Sequence, residues 1–64
     1  MEIYAEISKK DLKEIERGRI LKVPDNVKMT RRNGSRVCFF EFEKEDKAEL
    51  IDFLENNGFN WQEM

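Results

Sequence analysis

Side chains that could perform acid–base or nucleophilic chemistry are few in this 64-residue chain. It has no histidine and a single cysteine, Cys38, so neither a serine–histidine nor a cysteine–histidine pair can form. A general acid or base would have to be a carboxylate, a lysine or a tyrosine with a shifted pKa. Tyr4, Lys28 and Arg32 could in principle act together on RNA, but a pI of about 5.1 suits a polyanionic substrate poorly. We therefore predict that the protein is not an enzyme.

Acidic side chains are the remaining candidates for metal ligands. They concentrate in one short run, which comprises Glu41, Glu43, Glu45, Asp46 and Glu49. These carboxylates could attract a hard cation, but their spacing is not that of a calcium-binding loop. Their position at the start of a predicted helix explains them more simply, because negative charge stabilises a helix N-terminus. With no histidine and one cysteine, the chain lacks the ligands of a typical zinc site. We predict neither a metal nor a cofactor.

The run at residues 37–42 carries large apolar side chains on both faces of one predicted strand. Successive strand residues point to opposite faces, so Cys38 and Phe40 lie on one face and Val37 and Phe39 on the other. A chain this short can cover only one face well. The second face is therefore the best candidate for a binding surface. Cys38 is predicted to be a small core residue rather than a reactive thiol, because it lies among aromatic residues.

Alternation and capping signals predict the elements that precede this strand. Residues 2–7 alternate between apolar and polar, which predicts a half-buried strand with Tyr4 facing outward between two glutamates. Ser8 and Asp11 form a capping box at the start of a short helix. Gly18 is the residue expected to end this helix.

Turn residues divide the middle of the chain. Residues 19–23 are predicted to be extended, either as a short strand of their own or as the start of the second strand. Residues 24–26 have turn chemistry, and residues 27–32 follow as a strand. The dipeptide Asn33-Gly34 predicts a two-residue type I′ turn into a strand at residues 35–43. This loop length would place Thr30 opposite Val37 and Lys28 opposite Phe39.

The last third of the chain predicts a second helix and a final strand. Asp46 and Glu49 form a second capping box, and Asn57-Gly58 ends the helix. Phe59 then lies where a Schellman cap would set it against Leu54. The resulting prediction is a single α+β domain, residues 1–64, with the order β-α-β-β-α-β. Such an order suits a small antiparallel sheet with both helices packed on one face.

Charge is distributed unevenly along a chain whose net charge is −2. Residues 17–36 contain seven basic side chains and one acid, whereas residues 37–64 contain two basic and eight acidic side chains. We expect a positive and a negative end. Each is either a solvated face that keeps the protein soluble or a patch that attracts a charged partner.

The predicted second face combines aromatic and basic side chains. Bases stack on aromatic rings and phosphates pair with lysine and arginine, so such a face suits single-stranded nucleic acid. It equally suits a protein partner that seats on exposed aromatic anchors. The predicted partner-binding residues are Tyr4, Lys28, Thr30, Arg31, Arg32, Arg36, Val37, Phe39 and Trp61.

At these residues the chain resembles the RNA recognition motif family and, more broadly, ferredoxin-like split βαβ proteins. Ile3-Tyr4-Ala5 is similar to the first-strand signature of the family, and residues 37–42 are similar to the latter part of its third-strand octapeptide. The resemblance places Tyr4 and Phe39 at the stacking aromatics and Cys38 at a small-residue position. It implies a four-stranded sheet and the binding of single-stranded RNA.

Two functions of different classes follow from the sequence. The first is a small protein-binding module, an inhibitor, adaptor or regulator that covers a site on a larger protein; compact, highly charged chains of this kind are common among mobile-element products. The alternative is a single-stranded RNA- or DNA-binding protein. The negative total charge favours the first. A homodimer through the second face would also cover its apolar residues. With one cysteine and no early apolar stretch, we expect a cytoplasmic protein that does not enter a membrane.

Overall fold

The computed structural model describes residues 1–31 and 35–64, and over these residues the chain forms a four-stranded antiparallel sheet with two helices. The elements are β1 (Glu2–Glu6), α1 (Lys9–Arg17), β2 (Lys28–Arg31), β3 (Val37–Glu41), α2 (Lys47–Asn56) and β4 (Asn60–Glu63), with a 3₁₀ turn at Lys44–Asp46 before α2. The strand order is β2-β3-β1-β4. The predicted α+β class and element order are confirmed.

Both helices bury apolar side chains against one face of the sheet, which we call the helix-covered face. Leu12 of α1 and Leu50 and Leu54 of α2 are buried in the same cluster as Ile3 and Phe40 of the central strands. Phe40, Leu50 and Leu54 have no exposed surface. Full burial of a large side chain stabilises a protein by roughly 1.5–3 kcal/mol. This cluster is therefore the main source of stability for the domain.

Helix α1 begins and ends at the predicted residues. The Ser8 hydroxyl accepts a hydrogen bond from the Asp11 backbone N–H at 3.3 Å and donates one to the Asp11 carboxylate at 2.9 Å. Gly18 closes the helix with φ of +64°, and its N–H donates to the carbonyls of Glu14 and Ile15 at 3.1 Å each. Only glycine adopts this left-handed conformation without a steric penalty.

Helix α2 has the predicted end but not the predicted start. The N–H of Phe59 donates to the carbonyl of Leu54 at 3.0 Å and the N–H of Gly58 donates to Glu55 at 3.1 Å, which is the Schellman pattern. The capping box predicted at Asp46 is wrong, because its side chain makes no capping hydrogen bond. The 3₁₀ turn that precedes α2 carries Asp46 in helical geometry, which turns its side chain away from the amides it would need to reach.

The predicted register between the second and third strands is shifted by two residues. Thr30 pairs with Phe39 and Lys28 pairs with Glu41, where the sequence predicted Val37 and Phe39 as partners. A shift of two residues keeps every side chain on its predicted face, because the side-chain period of a strand is two. The type I′ turn predicted at Asn33-Gly34 lies outside the described residues.

The segment at residues 19–23 is not a strand, and this part of the prediction is wrong. Leu21 is buried in the core and Val23 packs against it, whereas Ile20 is 88% exposed. The segment thus alternates as a strand would and its side chains pack on the core, but it is not one of the strands that the structure describes. The alternation of apolar residues at 19–23 correctly predicted that Leu21 is buried, but the strand predicted for this segment is not present.

Candidate binding face

The sheet face opposite the helices, which we call the open face, carries a row of side chains that crosses all four strands. Thr30 of β2 lies opposite Phe39 of β3, Phe39 lies opposite Tyr4 of β1, and Tyr4 lies opposite Gln62 of β4. Directly opposite residues of antiparallel strands point to the same face. Within the described residues, both helices lie on the other side of the sheet, so this row faces solvent.

Tyr4 and Phe39 form the aromatic centre of the row. Their ring centroids lie 6.4 Å apart with the planes tilted by 46°, and both side chains are half-buried. The Tyr4 hydroxyl donates a hydrogen bond to the Gln62 Oε1 atom at 2.7 Å. This bond and the aromatic contact fix the Tyr4 ring before any partner arrives. A fixed ring loses little side-chain entropy on binding, which favours affinity.

Carboxylates outnumber cations around the aromatic centre. Among the described residues, the open face carries Glu2, Glu6 and Glu41 but only one cation, Lys28. Glu2 and Glu41 lie directly opposite each other, an arrangement that destabilises a sheet. None of the ion pairs between described residues involves these three glutamates. Over residues 1–31 and 35–64, the open face therefore carries more acidic than basic side chains around an aromatic centre.

Two depressions flank the aromatic centre. The larger, of about 420 Å³, is lined by Tyr4, Glu6, Val37, Asn60, Trp61 and Gln62. The smaller, of about 100 Å³, is lined by Glu2, Lys28, Thr30, Phe39 and Glu41. Each contains at least one carboxylate beside an aromatic ring. The two depressions thus leave space for partner side chains on both sides of the Tyr4–Phe39 pair.

The structure separates the predicted partner-binding residues into two groups. Tyr4, Lys28, Thr30, Val37 and Phe39 share the open face, as predicted. The remaining described residues do not join them.

Arg31 and Trp61 lie on the helix-covered side, because they occupy register positions opposite Cys38 and Ala5 respectively. Arg31 lines a groove with Lys9 and Lys13 of α1, and Trp61 packs against the core while also bordering the larger depression.

Arg36 continues the register of β3 with β1 and also lies on the helix-covered side. Its carbonyl accepts a hydrogen bond from the N–H of the buried Ile7 at 2.8 Å. Its neighbours around a third depression include Ser8 and Asn57. Arg32, which the sequence placed on the open face, lies outside the described residues. The described basic side chains are thus largely removed from the aromatic centre.

Five residues of the site were not among the predicted partner-binding residues, namely Glu2, Glu6, Glu41, Asn60 and Gln62. Glu6 lies beside Tyr4 in β1, and its outward orientation follows from the alternation of residues 2–7, so the sequence contained this signal. Asn60 and Gln62 join the site only because β4 pairs with β1. That pairing connects residues far apart in the chain, and no local pattern specifies it.

The Cys38 thiol takes no part in the open face. It is buried under the helices, and burial raises the pKa of Cys38 above its usual range, although the nearby Arg31 guanidinium acts in the opposite direction. A thiol that resists ionisation is a poor nucleophile. This supports the interpretation of Cys38 as a packing residue.

Comparison with known proteins finds no matching family model, no matching curated protein and no matching solved structure. Neither helix of the described chain has the length and apolar character needed to cross a membrane. The acidic and cysteine side chains in the described ranges form no cluster of three that could hold a metal ion. The function must therefore be argued from the geometry of the open face.

Proposed function

We propose that this protein is a small, non-enzymatic protein-binding module whose open face covers a site on a larger protein. An inhibitor, an adaptor and a regulator all act in this way. The observation that carries the proposal is the Tyr4–Phe39 pair, which lies at the centre of a sheet face that neither helix covers. Buried aromatic anchors dominate the binding energy of protein interfaces.

The position of Phe39 next to Phe40 supports this proposal. Phe40 is fully buried beneath the helices, whereas Phe39 is half-buried on the other side of the same strand. Phe39 lies outside the buried core and contacts the Tyr4 ring on the open face. An aromatic side chain there is consistent with contact to a partner. The single buried thiol is consistent with a reducing compartment, and we propose that the protein acts in the cytoplasm.

Single-stranded nucleic acid is the second candidate, and the presence of the Tyr4 and Phe39 rings beside Lys28 on one face is the observation that favours it. Rings at this spacing can stack bases, as the resemblance to RNA recognition motifs implied. The carboxylates of Glu2, Glu6 and Glu41 argue against it, because they repel a phosphate backbone. We therefore rank the protein partner first.

Capture of partners from a lysate, with and without nuclease treatment, tests the proposal. We expect a protein that is retained after nuclease treatment and that binds Phe39→Ala and Tyr4→Ala at least about tenfold more weakly, as is typical of aromatic anchors. Ile20→Ala is the matched control. Ile20 is an apolar side chain that is 88% exposed but lies in the connection between α1 and β2. Its removal should leave partner binding unchanged.

Salt dependence separates the two candidates. Binding to single strands would fall with a log–log slope near −0.7 for each phosphate contact, and Lys28→Glu would weaken it. A protein seated on Phe39 would tolerate salt better. Nuclease-sensitive capture, or tight binding of an oligonucleotide at low salt that Phe39→Ala abolishes, would contradict the protein-binding proposal. A partner that binds Phe39→Ala and Tyr4→Ala as well as the native chain would contradict both candidates.

A further inference from the structure

Among the described residues, the larger depression on the open face contains a carboxylate that joins no ion pair. Glu6 is exposed, lies between Val37 and Asn60 in the register of the sheet, and joins none of the ion pairs between described residues. Tyr4, two residues earlier on the same strand, borders the same depression. A carboxylate beside an aromatic ring attracts a cation through both groups. The depression is therefore suited to a positively charged side chain.

The depression offers acceptor oxygens of Glu6, Tyr4 and Asn60, together with N–H donors of the Asn60, Trp61 and Gln62 side chains. Because the Tyr4 hydroxyl donates its proton to Gln62 at 2.7 Å, its oxygen retains lone pairs that can accept. The Glu6 carboxylate accepts only, and the Asn60 amide supplies a further carbonyl oxygen. A guanidinium group has five N–H donors and no acceptor, and its flat surface stacks on aromatic rings. An ammonium group can satisfy the charge but neither stacks nor binds a carboxylate through two parallel hydrogen bonds.

We propose that this depression receives an arginine side chain of the protein partner, with Glu6 pairing its charge and the Tyr4 ring supporting its plane. The inference rests on the proposed function of the open face as a protein-binding surface. It extends that function by stating the chemistry of the partner: a basic segment that presents arginine next to an apolar group able to contact Phe39.

Charge complementarity selects this occupant over the other two. A second copy of the chain would bring its own Glu2, Glu6 and Glu41 against the same residues, and like charges across an interface cost affinity. A nucleic-acid backbone would meet the same repulsion. A basic protein segment is the occupant whose charge is opposite to that of the face.

Titration of the isotope-labelled full chain with short peptides, followed by NMR, tests the inference. The probes are an arginine–glycine peptide, a lysine–glycine peptide of equal charge and a single-stranded oligouridine. We expect the arginine peptide to shift the signals of Tyr4, Glu6 and Asn60 and to bind at least about threefold more tightly than the lysine peptide. The same spectra report whether each variant remains folded.

Two variants of identical charge change provide the control. Glu6→Gln should lower the affinity for the arginine peptide about tenfold, since it removes a charge-assisted hydrogen bond. Glu55→Gln removes the same charge from the exposed surface of α2, on the other side of the sheet, and should weaken binding no more than about twofold. Equal losses in both variants would mean only general attraction to an acidic protein and would overturn the inference.

The remaining outcomes also decide the question. Equal binding of the arginine and lysine peptides, or oligouridine shifting Tyr4 and Glu6 in place of the arginine peptide, would overturn the arginine site. An increase in mass to that of a dimer, with the same signals shifted at high protein concentration, would assign the face to a second copy. If a captured partner requires Phe39 but tolerates Glu6→Gln, the arginine inference fails while the proposed function stands.

Discussion

The two faces of β3 present neighbouring phenylalanines to opposite environments. Phe40 lies under both helices with no exposed surface, in contact with a core that includes Ile3 and Leu54. Phe39 lies on the open face, half-buried beside Tyr4 and surrounded by carboxylates. One strand therefore serves stability on one side and, by our proposal, binding on the other. The difference arises from what covers each face and not from the residues themselves.

The comparison also shows where charge is tolerated. The buried residues of the described chain include no polar or charged side chain. The open face, by contrast, holds Glu2 directly opposite Glu41. Such a pair lowers stability by a few tenths of a kcal/mol to about 1 kcal/mol. Lys28 lies directly opposite Glu41 on the other side and offsets part of this repulsion. A basic partner would offset more of it.

Truncation of the two phenylalanines should give the largest difference. Phe40→Ala is expected to lower the free energy of unfolding by about 3–5 kcal/mol, which approaches the whole stability of a domain of this size. Phe39→Ala should lower it by less, about 1–2 kcal/mol, because it loses a half-buried side chain and its contact with Tyr4. Urea denaturation followed by circular dichroism measures both values.

A milder variant keeps this comparison measurable if Phe40→Ala does not fold. Phe40→Leu retains most of the apolar volume and should still be clearly less stable than the native chain. Equal destabilisation by Phe39→Ala and Phe40→Ala would mean that the open face is covered in solution. The distinction between the two faces would then be wrong.

Gly58→Ala, at the end of α2, should lower the free energy of unfolding by an intermediate amount. Gly58 has φ of +70°, and a Cβ atom added there would meet no atom within 4 Å. The expected cost of about 1–2 kcal/mol is therefore backbone strain alone. Gly58→Asn should cost less, because asparagine tolerates the left-handed conformation better. Thermal or urea denaturation of the three chains would test this, and an unchanged stability for Gly58→Ala would show that α2 can end elsewhere.

The smallest effect should be a pH dependence that comes from Cys38. In the unfolded chain the thiol ionises near pH 8.5, whereas burial raises its pKa in the folded state. Above about pH 8.5 the unfolded state therefore loses the proton first, and the free energy of unfolding falls as pH rises. Below that pH the contribution is fully present. Urea denaturation between neutral and alkaline pH should show a steeper decline for the native chain than for Cys38→Ala, and parallel declines would contradict the assignment.

Local signals predicted the elements well wherever one short stretch contained the whole motif. The predictions of the Ser8–Asp11 cap, of the glycine that ends each helix and of the Phe59–Leu54 contact at the end of α2 are all confirmed. The hydrogen bonds of these motifs join residues that are close in sequence, so one short stretch contains both the donor and the acceptor. The prediction of a capping box at Asp46 was wrong because this residue belongs to a 3₁₀ turn and has helical backbone angles.

The sequence by itself determined which side chains face the core and which face outward, because alternation in β1 and β3 and the apolar stripes of the helices are local properties. Only the tertiary structure decided which outward residues meet. The register that sets Thr30 opposite Phe39 differs by two residues from the one that the turn dipeptide predicted. The pairing that brings Gln62 to Tyr4 depends on contacts between distant parts of the chain. For the same reason the sequence placed Arg31, Arg36 and Trp61 in one site with Tyr4, whereas the fold places them on the other side of the sheet.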